Sequence, residues 1–499
     1  MMFEAAEVGR KVSKQAFKEQ EPGLHTQLLE VQRALRGSNT PVIVIVSGVE
    51  GAGKGAVVNR LHAWLDARGM RTATFWEESD EEQDRPRFWR FWRALPPRGT
   101  IGVLFGSWYT RPIIDHVFEH IDEAAFDREL ARIATFERML SDDGALIVKF
   151  WFHLSKDVQR KRLKRDLKEG HKSLSTSIVK KFTKHYDTFA AVSERAIRET
   201  DTGQCPWHII ESADARYRDL TAGATLLNAI RGRLATQSSD TTSKPPNLEL
   251  CAPQTPDATI TILDHVDLSA ALDADEYEHR LEQAQKRLGG LCWSARRKRR
   301  NVVAVFEGWD AAGKGGAIRR VTAAMDARLY RVISIAAPTD EEKAQHYLWR
   351  FWRQIPRAGY VTIYDRSWYG RVLVERVEGF THPHDWMRGY REINEFEEEL
   401  TDHGVVLLKF WIHMSGDEQL RRFEERGVTP WKQHKITDED WRNRERWDDY
   451  NQAVNDMVTR TSTEFAPWTL VAGNDKKSAR VQIAETFCER LASALADDG

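Results

Sequence analysis

A chain of 499 residues that repeats itself once, at the scale of a domain, has few ways to fold. The stretch Val303-Ala-Val-Phe-Glu-Gly-Trp-Asp-Ala-Ala-Gly-Lys-Gly-Gly316 has a counterpart in Ile43-Val-Ile-Val-Ser-Gly-Val-Glu-Gly-Ala-Gly-Lys-Gly-Ala56, and the lysines lie 314 − 54 = 260 residues apart. The same offset aligns Trp89-Arg-Phe-Trp-Arg93 with Trp349-Arg-Phe-Trp-Arg353, and Ser107-Trp-Tyr-Thr-Arg111 with Ser367-Trp-Tyr-Gly-Arg371. It also aligns Lys149-Phe-Trp-Phe-His153 with Lys409-Phe-Trp-Ile-His413, and has drifted to 261 by Pro206-Trp207 and Pro467-Trp468. A tandem duplication follows, not a short-period solenoid. We read domains at 1–235 and 260–499, joined by a Ser/Thr/Pro/Asp-rich linker at 236–259. Each copy of about 235 residues suits one α/β core.

In the second copy, short apolar runs alternate with helical patterns. Strands are predicted at Val302–Phe306, Arg331–Ile335, Val361–Tyr364, Val405–Trp411 and Thr469–Ala472. Runs apolar on both faces are what a parallel sheet buried between helices requires. Helices are predicted at Gly315–Asp326, Glu341–Gln354, Trp386–Asp402, Asp417–Glu425, Asp438–Thr459 and Lys477–Ala496. A further helix precedes each first strand, at Leu24–Leu35 and Tyr277–Leu288, packed on the sheet or between the domains. The expected fold is α/β: two tandem P-loop kinase-like three-layer α/β/α domains, each with a parallel sheet and a basic helical lid.

Composition narrows the setting. The 74 Lys and Arg balance 75 Asp and Glu, so any site for a polyanion must be local. The four cysteines, Cys205, Cys251, Cys292 and Cys488, form no C-x-x-C pair and read as reduced thiols. No apolar stretch reaches the roughly 18 residues needed to span a bilayer, and the charged N-terminus lacks the apolar segment of a signal peptide. These features lead to the expectation of a cytoplasmic protein.

The chemistry concentrates around Lys314. Gly308-x-x-x-x-Gly313-Lys314 follows an apolar strand and opens a helix, so its amides can turn inward around phosphate oxygens while Lys314 adds a charge. The bland alternative is a tight turn without a ligand. Most nucleotide-hydrolysing loops follow the lysine with Ser or Thr to hold Mg²⁺, but this chain has Gly315 and Gly316. Asp310, inside the loop, is the replacement, since a carboxylate among phosphate-binding amides makes sense chiefly beside a cation. Asp365, at the end of the third strand, occupies the usual place of a magnesium-ordering acid. Arg366 and Arg371 can clamp phosphoryl oxygens, the alternative being an Asp–Arg salt bridge at a strand end.

The first copy is less well equipped. Glu50 stands for Asp310, Phe105 for Asp365 and Gly106 for Arg366. Phenylalanine cannot ligate a metal, so this copy should be catalytically weak or dead while still able to bind phosphate through Lys54. Past the fourth strand each copy turns strongly basic, at Arg421-Arg422, Arg426, Lys432 and Lys435 and at Arg160-Lys-Arg162, Lys164-Arg165, Lys168 and Lys172. A mobile lid over a phosphate chain and a solvated helix face both explain that pattern. The run Arg296-Arg-Lys-Arg-Arg300 either guides such a chain or ends a helix in solvent. Of the 18 tryptophans, Trp349 and Trp352 read as core packing ahead of base stacking on a nucleotide, whereas Trp368 and, beside it, Tyr369 are better candidates for contacting a base or the acceptor groove.

Glu307-Gly-Trp-Asp-Ala-Ala-Gly-Lys-Gly-Gly316, Asp365-Arg-Ser-Trp-Tyr-Gly-Arg371 and Pro430-x-Lys432-x-x-Lys435-x-Thr437 together resemble the polyphosphate kinase 2 family. In its doubled form the chain is similar to the fused, class II members, whose activity is polyphosphate:AMP phosphotransfer, giving ADP. The resemblance implies Mg²⁺ contacts, with Mn²⁺ as a substitute, for Asp310 and Asp365. It implies phosphate contacts for Lys314, Arg366 and Arg371, and for the loop glycines Gly308, Gly313, Gly315 and Gly316. Arg426, Lys432 and Lys435 would hold polyphosphate, although His434 and Thr429 depart from the family's lid pattern. The expected partners are inorganic polyphosphate and AMP or ADP, with neither nucleic acid nor membrane, and a homo-oligomer is compatible with this reading. Rival readings are a polyphosphate-dependent nucleoside diphosphate kinase and an ATP-dependent nucleoside monophosphate kinase, with the first copy a non-catalytic polyphosphate-binding module.

Overall fold

The computed structural model describes residues 2–168, 183–240, 261–430, 433 and 436–496. The chain divides into two compact units. One comprises Met1–Glu78, Arg90–Leu250 and Asp340–His346; the other comprises Ser79–Trp89, Cys251–Thr339 and Tyr347–Gly499.

Each unit holds one five-stranded sheet. The first is built from β1 (Val42–Gly48), β2 (Met70–Thr74), β3 (Ile101–Phe105), β4 (Leu146–His153) and β5 (Trp207–Glu211), in the order β2-β3-β1-β4-β5. The second uses β6 (Val302–Gly308), β7 (Tyr330–Ser334), β8 (Val361–Asp365), β9 (Val406–His413) and β10 (Trp468–Ala472), in the equivalent order. All pairings are parallel. Because successive connections move both ways along this order, right-handed crossovers place helices on both faces. The centre of each sheet is therefore dry: Val42–Val46 and Val302–Phe306 are buried without interruption.

Parallel pairing also sets the site. β6 lies between β8 and β9, with Phe306 opposite both Asp365 and Phe410. The loop after β6 and the turn after β8 consequently leave the sheet at the same edge. The five strands predicted in the second copy all form, with ends shifted by one or two residues.

Several helices differ from expectation. The stretch predicted as Glu341–Gln354 forms two short helices, Asp340–Lys343 and Trp349–Trp352. The former buries nothing, whereas Trp352 and Phe351 pack edge-on against Phe396 and Trp368. The stretch Asp438–Thr459 breaks at Arg446 into the helices Asp438–Glu445 and Trp447–Thr461. The long helices Lys14–Arg36 and Ala274–Arg297 pack on the last helix of their own unit, Ala215–Asp240 and Lys476–Ala496 respectively. On the second of these, Ala284, Leu288, Cys292 and Ala295 form the buried stripe. The stretch read as linker from 236 is still helical through Asp240, and residues 241–259 lie outside the described residues.

Candidate active site

The loop that joins β6 to the helix Lys314–Thr322 needs glycine at two places. Gly308 has φ 151°, and a Cβ there would lie 2.6 Å from the Ile412 carbonyl oxygen. Gly313 caps the helix in the left-handed region, at φ 108°. Gly315 is different: a side chain there would meet nothing within 4 Å, so packing does not exclude the hydroxyl that the sequence lacks. A Cβ at Gly316 would come within 3.3 Å of the Arg480 guanidinium. Lys314 lies back over its own loop, its Nζ donating to the carbonyls of Gly308 (2.6 Å) and Trp309 (3.2 Å).

Asp310 and Arg366 are brought together across 56 residues, Arg366 Nη2 donating to Asp310 Oδ1 at 3.1 Å. Asn443 Nδ2 donates to the other oxygen, Oδ2, at 2.9 Å. Burial pushes the Asp310 carboxyl up, but the positive charges of Lys314 and Arg366 and the Asn443 bond outweigh it and hold the group below its ordinary value. Arg366 achieves this contact from a left-handed backbone, φ 64°, which is unusual for a residue with a side chain. Asp365, next to it, is half-buried and has no hydrogen-bond or ion-pair partner for its carboxylate among the described residues.

Asp310 and Asp365 thus stand at the same end of the sheet. No group of three or more His, Cys, Asp or Glu placed to hold a metal ion occurs among the described residues. A Mg²⁺ ion that is held by one or two carboxylates plus substrate phosphates does not need one, and Asp310 with Asp365 could serve it.

Arg371 points to Glu375 Oε2 (2.9 Å) and Thr381 Oγ1 (2.8 Å), with its guanidinium over the Tyr347 ring; the described contacts do not join it to Asp310 or Lys314. Arg426 sits half-buried in the last turn of the helix Gly416–Val428. Lys432 and Lys435 lie outside the described residues, as does Lys172 of the first copy.

Three sequence readings are corrected by tertiary contacts. Arg422 belongs to no lid: it is 2% exposed and staples the glycine-rich loop, donating to the carbonyls of Ala311, Ala312, Gly473 and Asn474. Trp368 and Tyr369 face the core, not a ligand; both donate to Glu397 Oε1, whose Oε2 receives Lys409 at 2.6 Å. The basic run 296–300 lies at the opposite end of β6 from the loop, about 20 Å away along a strand. There Arg296, Lys298 and Arg300 donate to the carbonyls of Ala358, Leu495 and Gly404. Trp349 and Trp352 are core residues, as read.

The first unit repeats the frame and not the acids. Its staple is Arg162, which donates to the carbonyls of Gly51, Ser212 and Ala213. Its buried pair is Lys149–Glu137, at 2.7 Å, with Trp108 and Tyr109. In the loop, however, Lys54 is neutralised internally by Glu50, at 3.3 Å. Phe105 ends β3, and Gly106 takes the left-handed turn at φ 78°.

Sequence reasoning did not single out Glu307 as a separate group. Its buried carboxylate accepts from Ser367 Oγ at 2.7 Å and links the start of the loop to the turn after β8. Burial pushes Glu307 up, against the Ser367 bond and the nearby Lys314 and Arg366. Its presence where the first copy has Ser47 was the available signal.

The family model for polyphosphate kinase 2 matches this chain twice, at residues 11–238 and 271–498. The chain belongs to the polyphosphate kinase 2 family. Its relatives include a polyphosphate:AMP phosphotransferase of Pseudomonas aeruginosa, 48% identical over 499 residues and covering all of both chains. A polyphosphate:AMP phosphotransferase of Acinetobacter johnsonii is 36% identical over 480 residues, covering 94% of this chain and 96% of its own. A GDP-polyphosphate phosphotransferase of Mycobacterium tuberculosis is 39% identical over 207 residues, 42% of this chain and 70% of its own. A crystal structure ascribed to polyphosphate kinase 2 of Pseudomonas aeruginosa superimposes with a TM-score of 0.89 at 47% identity, covering all of both chains. This chain carries two copies of the family's domain.

Proposed function

We propose that the protein moves the terminal phosphoryl group of inorganic polyphosphate to AMP, giving ADP, at the glycine-rich loop of its second copy. The family match and the names of the full-length relatives support the reaction and its substrates. One observation carries the assignment to the second copy: Asp310 is paired with Arg366 beside Asp365, where the first copy has Glu50, Gly106 and Phe105.

In this reading an AMP phosphate oxygen attacks the terminal phosphorus of the chain in line. The new P–O bond forms as the bond to the bridging oxygen breaks, and the shortened chain leaves with that electron pair. The attacking oxygen is already anionic near neutral pH, so no general base is needed. Positioning and charge neutralisation do the rest. Lys314, released from its loop carbonyls, and Arg366 meet the oxygens of the transferred group, helped by the helix N-terminus. Arg426, Lys432 and Lys435 hold the donor chain. Asp310 and Asp365 hold Mg²⁺ or Mn²⁺, which when bound supplies further neutralisation of phosphoryl charge. The first copy keeps the loop frame without the chemistry. Buried free thiols at Cys205, Cys292 and Cys488 support a reducing compartment, the cytoplasm, and no described helix is long and apolar enough to cross a membrane.

The test is a matrix of donors (polyphosphate, ATP) and acceptors (AMP, ADP, GDP), run on the wild type and on Asp310→Asn, Asp365→Asn and Glu50→Gln. Polyphosphate with AMP should be the productive pair. Each aspartate variant should lose at least about 100-fold in kcat, the scale of losing one preorganised electrostatic group, and Glu50→Gln should retain activity. Wild-type activity in Asp365→Asn would sink the assignment.

A further inference from the structure

We infer that Asn443, oriented by Tyr450, is a positioning residue that fixes the Asp310 carboxylate for phosphoryl transfer; the inference rests on the reading of the second loop given above. Asp310 reaches its two oxygens to different elements, Oδ1 to Arg366 after β8 and Oδ2 to Asn443 on the helix Asp438–Glu445. An ionised carboxylate only accepts, so Asn443 must present its NH₂ group to it. The Tyr450 hydroxyl donates to Asn443 Oδ1 at 3.2 Å and so sets that orientation. Burial raises the Tyr450 hydroxyl above its ordinary value, which keeps it a donor.

A second contact beside the first shows how the helices reach the loop. The Trp447 ring lies flat on Trp309, the residue before Asp310, with centroids 3.8 Å apart and planes within 8°. The chain bends at Arg446 between the two helices, so Asn443 and Trp447 grip consecutive loop residues from either side of the bend.

The duplication supplies an independent argument. Counting back from the Trp207–Trp468 match at offset 261, Asn443 corresponds to Phe182, Trp447 to Tyr186 and Tyr450 to Phe189. The polar relay has been lost together with Asp310 and Asp365. The loop staple, Arg162 and Arg422, survives in both copies. An anchor needed only for folding would be expected to survive with the staple, whereas a group that serves the chemistry goes with the acids.

The experiment uses the full chain with polyphosphate and AMP, comparing Asn443→Ala, Tyr450→Phe and the double variant with wild type. A hydrogen bond to a charged group is worth roughly 10- to 150-fold. Asn443→Ala should therefore lower kcat about tenfold or more, with KM for AMP within about twofold. Thermal melts should stay within about 3 °C of wild type. Tyr450→Phe should lower kcat less, and its effect should vanish in the Asn443→Ala background, because it acts through that residue. A kcat within twofold of wild type in Asn443→Ala, or additive losses in the double variant, overturns the relay. If the alanine variant proves unstable, Tyr450→Phe decides, and an unchanged kcat there overturns it. Asp310→Asn separates the levels: activity in that variant removes the site reading itself, whereas an inactive Asp310→Asn beside an unaffected Asn443→Ala removes the relay alone.

Discussion

Arg366 holds a left-handed backbone conformation, φ 64°, which glycine adopts freely and does adopt at the matching position, Gly106, with φ 78°. Arg366→Gly should therefore divide folding from catalysis. Relief of the left-handed conformation gains about 1–2 kcal/mol. The greater freedom of glycine in the unfolded chain costs about 0.5–1 kcal/mol. The lost pair with Asp310 costs about 0–1 kcal/mol, because the guanidinium is 48% exposed and screened. The sum leaves stability within about 1 kcal/mol of wild type. Transfer should suffer far more, since removing one preorganised donor to a developing charge typically lowers kcat roughly 100- to 1,000-fold. Urea denaturation and initial rates of ADP formation from polyphosphate and AMP measure the two halves. A stability loss above about 2 kcal/mol would show that Arg366 is held for folding. A kcat within about threefold would show that its guanidinium does not serve the transfer. Either result refutes the reasoning.

Lys409→Met should be a folding lesion, not a catalytic one: it leaves the fully buried Glu397 without its cation, which costs about 3–5 kcal/mol. Denaturant titration checks this, and a loss under about 1 kcal/mol would mean that the carboxyl simply takes up a proton. For His413, burial pushes the imidazole down to about 4 while Asp264 pulls weakly the other way. Below about pH 6.5 the unfolded chain takes up a proton that the folded unit refuses, so this contribution is complete above that pH and is lost on acidification towards 4, by up to about 3 kcal/mol. Comparing stability at pH 7 and 4.5 in wild type and His413→Asn isolates it, and equal acid losses in both would refute it. Gly315→Ala should fold with unchanged or slightly raised stability, whereas Gly313→Ala, in the left-handed cap, should lose about 1 kcal/mol or more; equal melting shifts would contradict that contrast.

Much of the architecture was legible because it rests on local patterns. An apolar run followed by Gly-x-x-x-x-Gly-Lys specifies strand, turn and helix from residues within about one turn of each other. Asp365 could be placed beside the loop because parallel strands in register must end at one edge. The unequal equipment of the copies needed only the alignment of Glu50, Phe105 and Gly106 with their counterparts.

Charge and aromaticity alone did not say which way a side chain turns. Arg421 and Arg422 are neighbours in sequence and both pair with Glu418, yet the Arg421 side chain stays at the surface while that of Arg422 is buried against four loop carbonyls. Trp368 and Tyr369 stand in a turn beside the acidic strand end, and only packing against Glu397 and Lys409 shows that both face inward. Arg371 turns to Glu375 and Thr381 for the same reason.

By itself, then, the amino-acid sequence determined a duplicated α/β chain with one fully equipped loop, since periodicity, turn chemistry and the exchange of Asp for Phe are properties of residue types in order. Tertiary structure alone decided what fills the space around that loop. Asn443 reaches Asp310 across 133 residues, and the Arg422 staple spans more than 100 to the same loop. Contacts of that separation depend on where a bend at Arg446 and a helix after β9 bring their side chains, and no local pattern encodes that distance.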